Sequence, residues 1–167
     1  MSKKCKRHFL KEREAKALLN EASEKLKVDL EKVFRSEVKV ELVKMDFGEV
    51  FLVNGKPSLF KIEEHLYPTL LFEEIFKLTP RVVVDMGAIR HICNGANVMA
   101  PGIVRFEGDF RKGDLVFVVD EKYGKPIAVG EVFYDSAEAV KVKQGVVVKN
   151  VHFVGDKIWK SLKELLL

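Results

Sequence analysis

The stretch RVVVDMGAIRHICNGANVMAPGIV, from Arg81 to Val104, holds the residues of this chain best suited to hold a ligand. The β-branched run Val82-Val83-Val84 ends in Asp85, a natural N-cap for a helix opening at Met86. Asn94 or Gly95 can take the left-handed conformation that ends such a helix, which leaves room for about two turns. Gly87, Ala88, Gly95 and Ala96 are small enough to let another backbone come close. A helix N-terminus favours anions, although Asp85 competes for it as the cap. Arg90 can neutralise a phosphate or stack on a base, and Asn97 can read a base edge. This is the chemistry of recognising an extended ligand. Plainer readings stand beside it. Gly95 serves as a helix terminator, Pro101-Gly102 as a turn, His91 as a surface or capped histidine, and Met99 as either core filler or contact residue.

Bond-making chemistry finds little support. The chain lacks a Ser/His/Asp spacing and a GxxxxGK[ST] phosphate loop. Glu63-Glu64 and Glu73-Glu74 lie on polar faces, away from any nucleophile. Cys5 and His8 are close in sequence, but no second Cys/His pair completes a metal site. No enzyme activity, no metal and no cofactor are therefore expected. Cys5 and Cys93 are the only cysteines, which suits a reducing interior and implies no disulfide framework. With no apolar run of about 18 residues and no secretory signal, a cytoplasmic protein is expected.

The 167 residues allow one good domain or two small ones, and 47% apolar content is enough for a packed core. The net charge of +4 is spread over both halves, so it permits nucleic-acid binding without demanding it. Gln144 is the only glutamine among many lysines and glutamates, a bias of heat-adapted proteins. The basic start, Lys3 to Lys16, is either a solvated, fraying end or an arm for phosphates.

These residues need elements to position them. Ala15, Leu18, Leu19, Ala22 and Leu26 predict a helix over 10–28, with Glu21–Lys25 as an i, i+4 pair. Asp29 caps a second short helix to Phe34. Val38, Val40 and Leu42 alternate with charges as a half-exposed strand, and Val50 to Val53 is another. Asn54-Gly55 turns it into a return strand through Leu59, Phe60 and Ile62, which Pro57 marks as an edge. Pro68 opens a helix with Leu70, Leu71, Ile75 and Phe76, closed by Thr79-Pro80. The short junction at Leu78-Thr79-Pro80 predicts two closely packed domains. Strands follow at 104–106, 115–120, 127–133, 145–148 and 151–154, with turns every ten or so residues, as in a barrel. After Gly155-Asp156, the residues Ile158, Trp159, Leu162, Leu165 and Leu166 make one helical face. It either docks on the body or meets a partner.

The set Asp85, Gly87-Ala88-Ile89, Gly95-Ala96-Asn97 and Pro101-Gly102-Ile103 resembles the signature of a PUA domain. So do Arg111-Lys112-Gly113-Asp114 before Leu115–Val119, and Pro126-Ile127-Ala128-Val129-Gly130-Glu131-Val132. With Leu52-Val53-Asn54-Gly55, Tyr67-Pro68-Thr69-Leu70, Val146–Phe153, Asp156 and Trp159, the whole chain resembles the malignant T-cell-amplified sequence family of translation factors and its archaeal relatives. The resemblance implies an α+β protein: a pre-PUA domain over 1–79, a PUA-type small β-barrel over 80–155, and a C-terminal helix over 156–167 packed on the body.

The family resemblance further implies binding to tRNA or small-subunit rRNA on the small ribosomal subunit, in initiation, reinitiation or recycling, with a SUI-domain protein as a possible partner. Alternatives are a protein-interaction adaptor, or an accessory RNA-binding factor in ribosome assembly or RNA modification. The RNA-binding positions carried over are Gly87, Ala88, Arg90, His91, Gly95, Ala96, Asn97 and Met99, with Lys149, Asn150 and His152 as further contacts from the last strand. Arg105, Arg111 and Lys112 are rim charges. The basic N-terminus and the Leu-rich C-terminal helix depart from the family pattern and leave the identity of any partner open.

Overall fold

The computed structural model describes residues 6–35 and 37–167, and the chain divides into two compact units, 1–75 and 76–167. Cys5, Lys3 and Lys4 lie outside the described residues.

The first unit is a helix pair with an antiparallel five-stranded meander, ordered β1 (Arg7–Phe9), β2 (Val40–Met45), β3 (Gly48–Val53), β4 (Lys56–Ile62), β5 (His65–Pro68). Helix α1 (Glu12–Leu26) buries Ala15, Leu18, Leu19, Ala22 and Leu26 on one face, as its periodicity requires. It ends at Lys27, whose φ of 55° breaks the helical path. Helix α2 (Leu30–Val33) is capped by Asp29, which accepts from Glu31 N–H at 3.1 Å. Asn54 and Gly55 both take positive φ, the demand of a two-residue hairpin whose twist matches its strands.

Four expectations are corrected here. Part of the basic start is strand β1, and Arg7 Nη2 pairs with Glu41 at 2.7 Å. Glu21 and Lys25 do not pair with each other. Glu21 reaches Lys61 at 3.7 Å, and the Lys25 ammonium sits 4.8 Å from the Tyr67 ring centre. Strand β4 is internal, not an edge, because β5 pairs along its other side, and Pro57 is accommodated where the ladder with β3 shifts register at Phe51/Leu52. Pro68 ends a strand rather than opening a helix. Buried Thr69 donates its hydroxyl to Pro57 O at 2.8 Å and accepts from Leu71 N–H, so helix α3 starts only at Glu73 and runs to Phe76.

The second unit contains β6 (Arg81–Val84), α4 (Met86–Ile92), β7 (Val98–Met99), β8 (Ile103–Glu107), β9 (Leu115–Asp120), β10 (Pro126–Val132), α5 (Ser136–Ala139), β11 (Val146–Phe153) and α6 (Lys157–Leu165). The sheet order is β7-β11-β10-β9-β6-β8, antiparallel except where β6 meets β9. Its two edge strands, β7 and β8, are joined by one 3-10 turn, Ala100–Gly102. A flat six-stranded sheet would separate its edges by about 24 Å. The chain from Met99 to Ile103 spans at most about 14 Å. The sheet must curl, and it does so around Val82, Val84, Val98, Val118, Val147 and Val148. Strand β9 is buried along its whole length. Val116 and Val118 face that core, while Phe117 meets Phe76 edge-on at 5.5 Å.

The two strand candidates at 145–148 and 151–154 are one strand, β11, whose pairing with β10 shifts register between Val129 and Gly130. Gly130 sits where the strands come closest: a Cβ there would lie 2.3 Å from Val148 Cγ1. The N-cap of α6 is Asp156, and α6 buries Ile158 and Leu162. Among the described residues, no helix is long and apolar enough to cross a membrane.

Candidate nucleic-acid interface

Helix α4 forms because Asp85 fixes its first turn, accepting from Ala88 N–H at 2.9 Å. Two further bonds anchor this end. Asp85 N–H donates to Gly102 O at 2.9 Å, and Met86 N–H donates to Glu121 Oε1 at 3.4 Å. A Cβ on Gly102 would approach Ala88 Cβ at 3.1 Å, so the small pair lets the 3-10 turn lie against the helix. At the other end, Gly95 takes φ 95°, and the N–H groups of Asn94 and Ala96 fold back onto His91 O.

The loop after the helix is fastened to β11 by two asparagines. Asn150 Nδ2 donates to Ile92 O and Ala96 O, both at 2.9 Å, and Asn150 N–H donates to Asn97 Oδ1 at 2.9 Å. Met99 pairs in register with Val146, and Ala100 N–H donates to Gly145 O. Helix end, loop, β7 and β11 thus form one connected rim.

The rim displays most of the sequence-derived set. Gly87, Arg90, His91, Gly95, Ala96, Asn97, Met99 and Lys149 are exposed, and Ala88 is half-buried. Lys149 stands across the ladder from Glu131. Asn97 Oδ1, Asn150 N–H and Asn150 Nδ2 form the clasp, so these groups already serve the fold.

His152 is a correction. Its side chain is wholly buried, with Nδ1 2.9 Å from Asp156 Oδ2, and it does not line the rim. The pleat does not separate it from Lys149, because across the register shift Lys149 pairs with Glu131 and His152 with Val129, two residues apart on β10. The turn into α6, whose cap Asp156 bonds the ring, is what encloses His152. Burial pushes the Asp156 carboxyl up, but the His152 hydrogen bond and charge outweigh it, aided by the N–H groups of Trp159 and Phe153. The carboxyl is held below the usual aspartate range. Arg105 is also engaged, donating to Glu107 at 3.1 Å. Arg105 and then Arg81 hold that carboxyl low. Burial raises the Cys93 thiol, which disfavours the thiolate.

Sequence reading missed Met86 and Val104, which add exposed apolar surface at 44% and 46%. Met86 could have been found as the first residue after the cap. Val104 could not, because its exposure depends on β8 being a sheet edge. Among the described residues, no three His, Cys, Asp or Glu side chains gather as a metal site.

Comparison with known proteins gives the same two parts. Residues 80–154 match the PUA domain family, and residues 6–73 match a domain of unknown function. An uncharacterized protein of Methanocaldococcus jannaschii is 39% identical over 157 residues, covering 92% of this chain and 95% of its own. Translation machinery-associated protein 20 of Schizosaccharomyces pombe is 30% identical over 161 residues, covering 92% and 88%. The crystal structure of a PUA domain from Aeropyrum pernix superposes with a TM-score of 0.84 at 28% identity, covering 97% of this chain and 93% of that one. The chain belongs to the pre-PUA and PUA family of translation machinery-associated protein 20 and the malignant T-cell-amplified sequence proteins.

Proposed function

We propose that this protein binds tRNA or small-subunit rRNA on the rim of α4, the 93–97 loop, β7 and β11, as a factor acting at the small ribosomal subunit in initiation, reinitiation or recycling. The observation that carries this reading is the rim itself: small residues Gly87, Ala88, Gly95 and Ala96 beside the exposed cations Arg90 and Lys149. Small residues admit a sugar–phosphate backbone, and the cations neutralise its charge. His91 and Met99 supply ring and thioether surface for a splayed base. Asn97 and Asn150 hold the loop in place; exposed Asn97 can still offer its Nδ2 to RNA, whereas Asn150 has its Nδ2 bonded and its Oδ1 buried and acts by positioning. Membership of a translation-associated family supports a cytoplasmic setting and leaves a SUI-domain protein as the natural partner to test. The working division is 1–79, 80–155 and 156–167.

Filter binding of tRNA and rRNA fragments across a salt series tests the reading. Arg90→Ala and Lys149→Ala should each weaken binding and lower the slope of log affinity against log salt by about 0.7–0.9. Absence of binding at low salt sinks the proposal.

A further inference from the structure

The hairpin tip between β9 and β10, Glu121–Lys125, lies outside the set assigned above, yet it presents an aromatic ring between two cations. Tyr123 is 65% exposed. Lys122 Nζ lies 5.1 Å and Lys125 Nζ 6.0 Å from its ring centre. A single exposed tyrosine is ordinary on a protein surface. Two observations separate this one from that background.

The tip is stiff. Asp120, only 5% exposed, accepts from the backbone N–H groups of Tyr123 and Lys125. Asp120 N–H donates to Lys125 O at 3.1 Å, and Gly124 N–H donates to Asp120 O at 3.0 Å. Burial pushes this carboxyl up, and the N–H groups of Tyr123, Lys125, Lys122 and Gly124 more than reverse the effect, so the anion persists at neutral pH. The ring is thus held out on a fixed base, and ordering it on binding costs little.

The tip is also fastened to the candidate interface. Glu121 N–H donates to Val84 O at 3.0 Å, and the Glu121 carboxylate accepts from Met86 N–H. Tyr123 therefore belongs to the loop at the start of α4, while Arg90 and His91 lie in its last turn. The helix between them is about 10 Å long. Asp120 and Glu121 balance the two lysines in formal charge, but Asp120 is turned into the base of the turn while both ammonium groups lie beside the exposed ring.

We propose that Tyr123 is a stacking platform for an unpaired base of the bound RNA, with Lys122 and Lys125 holding the phosphates beside it. The proposal rests on the RNA-binding reading and extends its ligand to one with a single-stranded segment, since only an unpaired base offers a free face to the ring.

The test uses the full chain and two labelled probes, an RNA stem with a short single-stranded 3′ extension and the same stem blunt. Tyr123→Ala should lose about 5- to 150-fold in affinity for the extended probe. It should leave the salt slope and the blunt-stem affinity unchanged, while Tyr123→Phe binds like wild type. The pair Lys122→Ala/Lys125→Ala should reduce the slope on the extended probe by about 0.7 per contact. Melting followed by circular dichroism should match wild type for all of them, because these side chains are exposed. Wild-type binding by Tyr123→Ala, with Arg90→Ala still impaired, overturns the platform and leaves the RNA reading standing. An equal loss on both probes overturns stacking in favour of a general contact. Failure of wild type to bind either probe overturns both proposals.

Discussion

Asn150 shows how one side chain can look like a ligand contact and serve as a fastener. Its amide bonds the carbonyls of Ile92 and Ala96, which lie 58 and 54 residues away in sequence. No local pattern announces partners so distant, whereas Asp85, with its target three residues on, was legible at once. Asn150→Asp is the decisive substitution. It removes two donors and sets an anion against two carbonyl oxygens, so a loss of about 2–3 kcal/mol in unfolding free energy is expected. Chemical denaturation measures it. A change below about 0.5 kcal/mol, the range of neutral surface substitutions, contradicts the fastening role. His152 teaches the same lesson from the other side. Its type suggested a contact, and only the packing of the turn into α6, with Asp156 on the ring, shows that it is enclosed.

At the scale of elements, helices and hairpins were legible wherever their signals are local. The α1 stripe, the Asp29 and Asp85 caps and the Asn54-Gly55 turn all formed as read. What stayed hidden was lateral. Whether Pro57 lies on an edge, whether Arg7–Phe9 finds a neighbour, and whether 145–154 is one strand depend on pairing across the sheet. Helix α6 supplies a pH dependence. The Asp156 carboxyl is lowered in the folded chain, so its stabilisation is complete above the ordinary aspartate value of about 3.9 and is lost as pH falls through the lower folded value. Asp156→Ala should cost about 1–3 kcal/mol at neutral pH, from the lost cap and the polar groups left without it. Thermal melts of wild type and variant should converge on acidification below about pH 4. A gap that stays constant down to pH 2 contradicts the assignment.

For the whole molecule, the α+β class and the PUA-type half were readable because a family signature sits on contiguous residues. The curl of the sheet was not, because it follows from which strands become edges. That curl has a consequence for the life cycle of the protein. The seam that shuts the sheet is the β7–β11 ladder with only two registered pairs, Met99–Val146 and Val98–Val148. The proposed RNA rim straddles the same seam. A strand pair so short is the natural first point of opening. An RNA that grips both sides stitches it shut, and occupancy at a hundredfold excess over Kd adds about 2.7 kcal/mol to the folded state. Hydrogen exchange should show the amides of Met99, Ala100 and Val148 slowing on RNA addition, with Ala15–Leu26 unchanged. Uniform behaviour across both sets contradicts this. Idle copies would then be the ones a protease can enter, and the abundance of the protein would follow that of its RNA.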